Sequence, residues 1–146
     1  MRIRPITAAD APAVAALSGE LGYETEAGDM AARLAAVLAA PGHAVFAAEG
    51  GDGAVLGWVH VGARLLLIDP LSAFVEGLVV APGERRRGVG RALMAAAEDW
   101  ARDRGALVIR LRSAATREDA HAFYRELGYR RGEPALGFEK PLAPGG

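Results

Sequence analysis

Residues 74–94 read FVEGLVVAPGERRRGVGRALM, and the parsing of this stretch decides the fold. Phe74 to Val80 is apolar and rich in β-branched residues, and Pro82-Gly83 punctuates its end. That pattern predicts a buried strand with Glu76 as its one charged member. From Val89 the period changes. Leu93, Met94, Ala97, Trp100 and Ala101 recur at three- and four-residue spacing, which predicts an amphipathic helix. Between strand and helix lie Arg85, Arg86, Arg87, Gly88, Val89, Gly90 and Arg91. A basic, glycine-rich turn at a helix start presents unpaired backbone N–H groups at the positive end of the macrodipole, and it can hold phosphate.

Three other readings of the turn compete. A P-loop needs Lys-Ser or Lys-Thr after its last glycine, whereas Arg91-Ala92 follows Gly90. A dinucleotide fingerprint places its glycines directly after the strand, but here several residues intervene and Leu93 takes the third glycine position. A merely solvated basic helix start is the plainest alternative, yet arginines at an N-terminal turn oppose the helix dipole. That placement asks for an anion.

The chain has 146 residues, enough for one domain with a real core, and 51% hydrophobic with 24% charged residues is ordinary for a globular protein. A net charge of −1 argues against a general nucleic-acid binder and makes the arginines of 85–91 a local device. A nucleic-acid module built on RRRGVGR also lacks a neighbouring aromatic stacking platform. With no cysteine, disulfides, thiolate nucleophiles and Cys-based metal sites are excluded. His43, His60 and His121 lack metal-ligand spacing, so no metal is expected and each histidine reads as structural or substrate-facing. The N-terminus MRIRPITAAD has no apolar signal core and no run approaches a membrane span, so a cytoplasmic protein without membrane contact is expected.

In chain order, Arg2–Ile6 predicts a strand, and Asp10 with Pro12 predicts the capped start of a helix carrying Val14, Leu17 and Leu21 to Gly22. Glu26–Ala39 predicts a second helix, broken by Pro41-Gly42. His43–Glu49 and Ala54–Gly62, joined by Gly50-Gly51-Asp52-Gly53, predict a hairpin. Arg64–Leu71 reads either as strand extension or as loop. After the central helix ends at Gly105, Leu107–Arg112 predicts a strand and Arg117–Leu127 a short helix with a Thr116/Asp119 capping box, closed by Gly128. Tyr129–Arg131 and Leu136–Leu142 read as final strands, and Pro144-Gly145-Gly146 as a fraying end. The fold class is α/β in the mixed sense, a central mixed sheet flanked by helices.

Strand, Arg85-x-x-Gly88-x-Gly90 and amphipathic helix together resemble the acetyl-CoA-binding motif of the GNAT N-acetyltransferase family. A second segment, Ala120-His121-Ala122-Phe123-Tyr124-Arg125-Glu126-Leu127-Gly128-Tyr129, resembles that family's Ala-x-x-Phe-Tyr-x-x-x-Gly-Phe/Tyr block. The resemblance covers nearly the whole chain and implies one N-acetyltransferase domain over 1–146. It implies that the turn amides and arginines hold the pyrophosphate of coenzyme A. Backbone groups of Leu78, Val79 and Val80 would then bond the pantetheine arm, one of their N–H groups polarising the acetyl carbonyl. It further implies that the Tyr124 hydroxyl protonates the departing thiolate, where the residue without the upstream motif reads rather as a half-buried packing tyrosine. Arg117 stands where many relatives have asparagine, which leaves that side-chain contact to the cofactor open.

An amine attacks a thioester only when unprotonated, so a base is required. Glu76 interrupts an apolar strand, where burial should raise its pKa, and the family often has a glutamate near this position. Its alternative is a carboxylate paired with an arginine or pointing out of an edge strand. Gly77 beside it is consistent with a bulge. The reading is therefore acetyl transfer from acetyl-CoA to a primary amine, a small molecule before a protein N-terminus or lysine, by direct attack in a ternary complex. A silent acyl-CoA-binding or regulatory domain is the alternative from another class. Acceptor recognition is expected from Tyr23, Glu24 and Glu26 near the first two helices, with Glu20, Asp29 and the segment His60 to Ser72. Those carboxylates could attract a cationic amine or form a solvated face. A homodimer is compatible with this reading.

Overall fold

The computed structural model of the chain describes residues 1–113 and 118–143. They group into two compact units, Met1–Arg112 and Ser113–Gly146, and each is described by itself. The first unit is built on a five-stranded mixed sheet: β1 (Arg2–Pro5), β2 (His43–Glu49), β3 (Val55–Arg64), β4 (Ser72–Val80) and β5 (Val108–Leu111), in that spatial order. The first four are antiparallel neighbours and β5 runs parallel to β4. A parallel pair needs a crossover, which helix α3 (Val89–Asp103) supplies. Helices α1 (Ala11–Glu20) and α2 (Ala27–Ala39) lie between β1 and β2 in the chain.

Each sheet face has its own core. Val14 of α1 and Met30, Leu34 and Val37 of α2 close over Val45, Ala47 and Trp58 of β2 and β3. Trp58 is anchored there by its Nε1–H, which donates to Ser18 Oγ at 3.3 Å. On α3 the residues Leu93, Met94, Ala97 and Ala101 are buried, as their spacing requires, while Trp100 is half-buried. Leu93 reaches β3 at Gly57, where an added Cβ would stand 2.7 Å from the Val79 carbonyl oxygen and 3.1 Å from Leu93 Cδ1. Truncating the fully buried Leu93 to alanine would cost about 2–5 kcal/mol.

The hairpin turn forms as its glycines predict: Gly53 adopts φ +85°, its N–H donates to the Gly50 carbonyl at 3.0 Å, and Ala54 N–H donates to Asp52 Oδ1 at 3.1 Å. Asp10 stands at the position before α1, but its carboxylate does not cap that helix. It turns back to Arg4, accepting from Nη1 at 2.8 Å and Nη2 at 2.9 Å, and accepts the Thr7 backbone N–H at 2.8 Å. A bidentate guanidinium is the stronger partner. Residues 65–71 form a loop, with Leu65, Leu67 and Ile68 exposed.

The second unit contains helix α4 (Glu118–Glu126), ended by Gly128 at φ +94°. Of the expected Thr116/Asp119 capping box, Asp119 lies in the first turn of α4, while Thr116, the expected helix start Arg117 and the expected fraying end lie outside the described residues. Strands were expected over 129–131 and 136–142, and none forms among the described residues of 129–143. Glycines at 132 and 137 and Pro134 interrupt this stretch, and its apolar members Leu136, Phe138 and Leu142 stay exposed.

Candidate active site

The register of β3 with β4 changes at one point. His60 pairs with Gly77 but Val61 pairs with Val75, so Glu76 is an extra residue, a β-bulge. At the same level β4 loses its other neighbour. Its pairing with β5 ends at Val75 opposite Leu111, while Leu78, Val79 and Val80 continue paired to Val59, Trp58 and Gly57 of β3. Past the bulge, one edge of β4 therefore has no strand partner among the described residues. Its outward N–H and C=O groups can bond an extended ligand as a strand would.

That open edge runs into the turn. Pro82–Glu84 makes one turn of 3-10 helix, Arg85 is extended, Arg86 takes φ +65° and Gly88 takes φ +82°. A left-handed arginine costs roughly 1–2 kcal/mol, the kind of strain that persists at ligand clamps. The first helical bond of α3 runs from Ala92 N–H to the Gly88 carbonyl at 3.0 Å, and no side chain caps the helix. The amides of Val89, Gly90 and Arg91 precede that bond and, among the described residues, are left to an outside acceptor. Arg85, Arg86, Arg87 and Arg91 are exposed, and among the described residues none has a carboxylate within ion-pair distance. Free amides, the helix dipole and these guanidinium groups converge on one place suited to phosphate.

Glu76 departs from expectation. It was expected to be buried in the strand, and it is exposed, its carboxylate 4.0 Å from Arg64 Nη2. The bulge breaks the period-two alternation, so the side chain leaves the core. Burial therefore supplies no reason for it to act as a base, and the arginine-paired alternative is the one that forms. Beside it lies a pair that in sequence reads only as two separate histidines, structural or substrate-facing. His60, half-buried, holds its Nε2 2.9 Å from His43 Nδ1, and one of the two nitrogens donates to the other. Burial first, and then His43, push the His60 imidazole below its ordinary 6.5, and Glu76 partly opposes this.

On the side of α1 and α2, an open depression of about 410 Å³ is lined by Gly19, Glu24, Thr25 and Glu26. Glu20, Glu24, Glu26 and Asp29 are exposed, and Tyr23 is 56% exposed. Tyr124 belongs to the second unit, where its ring meets Phe123 edge-on at 5.1 Å and Tyr129 at 6.0 Å. Arg117 lies outside the described residues. Among the described residues no cluster of His, Asp and Glu could hold a metal, and no helix is long and apolar enough to cross a membrane.

Comparison with known proteins bears on both the turn and the sheet. The family model described as "Acetyltransferase (GNAT) family" matches residues 12–129. An aminoglycoside N(6')-acetyltransferase type 1 of Stenotrophomonas maltophilia is 36% identical, covering 97% of this chain and 94% of its own. Its namesake in Klebsiella aerogenes is 31% identical, covering 96% of each. In fold, the chain is similar to the solved structure of AAC(6')-Iy in complex with the bisubstrate analogue CoA-S-monomethyl-acetylneamine. The TM-score is 0.85 at 22% identity, over 97% of this chain and 98% of the other. The open edge, the basic turn and this likeness over nearly the full length agree: the chain belongs to the GNAT acetyltransferase family and is an acetyl-CoA-dependent N-acetyltransferase that acts on a primary amine.

Proposed function

We propose that the chain, working as one catalytic domain over 1–146, acetylates an amine of a cationic, aminoglycoside-like small molecule. The observation that carries this is the edge of β4 that, among the described residues, has no strand partner from Leu78 to Val80 and leads into the uncapped helix-start amides and arginines of 85–91. In this reading coenzyme A lies along that edge. Backbone groups of Leu78, Val79 and Val80 bond the pantetheine arm, one N–H polarises the acetyl carbonyl, and the pyrophosphate meets Val89, Gly90 and the arginines. The acceptor class is supported by the carboxylates Glu24 and Glu26 lining the depression beside α1 and α2, and by two relatives named for aminoglycosides. A polycation gains from several carboxylates at once.

The amine attacks acetyl-CoA directly in a ternary complex, since the chain has no cysteine to carry an acetyl group. Glu76 meets the incoming ammonium as an anion at the bulge. Tyr124 supplies the proton to the coenzyme thiolate, a role that rests on the family resemblance of its segment. Acetyl-CoA is an intracellular thioester, so the work is placed in the cytoplasm.

Thiol release from acetyl-CoA, measured against a panel of aminoglycosides, polyamines, amino-acid amides and peptides, tests the reading. Turnover highest with an aminoglycoside is the expected result. Coenzyme binding without turnover of any amine favours a silent binding domain instead. With an acceptor in hand, Tyr124→Phe keeps the ring and should lower kcat by roughly 10²-fold at unchanged coenzyme affinity. Full turnover by that variant makes Tyr124 a packing residue.

A further inference from the structure

We propose that the His43–His60 pair is the proton outlet of the reaction, with His60 accepting the proton of the incoming amine and His43 passing it to solvent. The proposal rests on the acetyl-transfer reading above and assigns a task that Glu76, exposed and paired with Arg64, is not built to perform alone.

The geometry comes from strand register. His60 sits on β3 opposite Gly77, next to the bulged Glu76, and its other strand neighbour is Val45 on β2. His43 is two residues along β2 from Val45 on the same face, and it pairs with Gly62. A Cβ on Gly62 would stand 3.1 Å from both Cε1 and Nδ1 of His43. Glycine there lets the His43 ring lie on β3 and bring Nδ1 within 2.9 Å of His60 Nε2. The two rings are 5.1 Å apart at centroid and tilted by 41°, an arrangement held by the nitrogen contact rather than by stacking. His60 is half-buried and His43 exposed, so the pair leads from the sheet interior to water.

The chemistry fits the position. A solvated carboxylate is a weak base at neutral pH, whereas imidazole titrates close to it. Among the described residues, the charged or titratable groups that bear on His60 are His43 from β2, Glu76 from β4 and, through its ion pair with Glu76, Arg64 from its own strand. Burial and His43 favour the neutral form of the His60 ring, and a neutral imidazole has a lone pair to offer. The step balances as follows. An ammonium gives one proton to His60, and the free amine forms the C–N bond as the C–S bond breaks. The second amine proton goes to the thiolate, and the proton on His60 leaves through His43. One proton per turnover reaches solvent.

The test uses the full chain with acetyl-CoA and neamine, recording kcat/KM against pH for wild type, His60→Gln, His43→Gln and Gly62→Ala. His60→Gln should lose roughly 10²-fold near pH 7 and recover most of it by about pH 9.5, where more amine is already unprotonated. His43→Gln, at an exposed position, should lose less and shift the acid limb upward, because removing His43 lets His60 hold its proton to higher pH. Gly62→Ala should resemble His43→Gln, although no titrating group has changed. Losses equal at every pH, or wild-type profiles in all three variants, overturn the proposal. Histidine 15N titration by NMR tests the pair without any acceptor. It should show His60 neutral at pH 7 and titrating higher in His43→Gln, and independent titration of the two rings overturns the outlet even if neamine proves not to be a substrate.

Discussion

The basic turn and the bulge at Glu76 lie on the same strand–turn–helix segment, yet they are built in opposite ways. The turn is made of backbone: amides of Val89, Gly90 and Arg91 ahead of the first helical bond, two left-handed residues, and arginines that add charge without needing one fixed geometry. The bulge is made of side chains assembled across three strands, Glu76 from β4, His60 and Arg64 from β3 and His43 from β2. A backbone site needs only its own few residues in the right local conformation. A side-chain site needs the register of the whole sheet, and it fails if any one strand slips.

The hardest blow to the backbone half should be Gly90→Asp. A carboxylate in the first turn of α3 brings bulk and like charge to the place proposed for pyrophosphate. Coenzyme A affinity should fall by roughly 100-fold or more in calorimetric titration, about 2.8 kcal/mol. The circular dichroism spectrum should stay that of wild type. Binding at wild-type strength by this variant would remove the phosphates from the turn.

A smaller effect separates charge from backbone. Arg85→Ala and Arg87→Ala should each weaken coenzyme A by about 5- to 10-fold, a loss that shrinks as salt rises. A pantetheine analogue without phosphates should be nearly indifferent to either change. If both ligands suffer equally, the arginines act through the fold and the turn is less a backbone site than its amides suggest.

The same contrast explains what the sequence could reveal. The strand before the turn, the helix after it and the Gly50–Gly53 hairpin were legible because each depends on a local period or on turn chemistry. Glu76 was misplaced because alternation assumes an unbroken strand, and the extra residue at the bulge turns its side chain outward. The glycine beside it was the available hint. His43 and His60 are 17 residues apart and carry no spacing signal, since only the β2–β3 register makes them neighbours. A scan for titratable residues opposite glycines in the predicted hairpin finds His43 facing Gly62, but His60 faces Val45 there and its glycine neighbour, Gly77, lies on β4. The missing C-terminal strands show the limit of composition. Leu136, Phe138 and Leu142 suggested a strand, but isolated apolar residues between glycine and proline do not specify a pairing partner.

The smallest expected effect tests whether the two halves of the sheet are energetically separate. Asp10 and Arg4 pin the start of α1, whose far end at Gly19 opens onto the depression lined by Glu24 and Glu26. The Arg4 hydrogen bonds, with help from the Thr7 N–H and against the cost of burial, hold the Asp10 carboxyl at about 2, below the ordinary 3.8. A depressed carboxyl binds fewer protons folded than unfolded, so its contribution is complete above the unfolded value and disappears as pH falls through the folded one. After solvent screening, Asp10→Asn should lose on the order of 1 kcal/mol in urea melts at pH 7, and roughly half of that difference should be gone by pH 3. Coenzyme A affinity should hold while KM for the acceptor rises slightly, because the pin belongs to the α1 side and not to the turn after β4. A stability loss of equal size at pH 3 and pH 7 would assign the effect to the shape of the amide rather than to charge. A parallel loss of coenzyme affinity would mean that strain in α1 reaches across the sheet to the open edge of β4, and the two halves could no longer be treated apart.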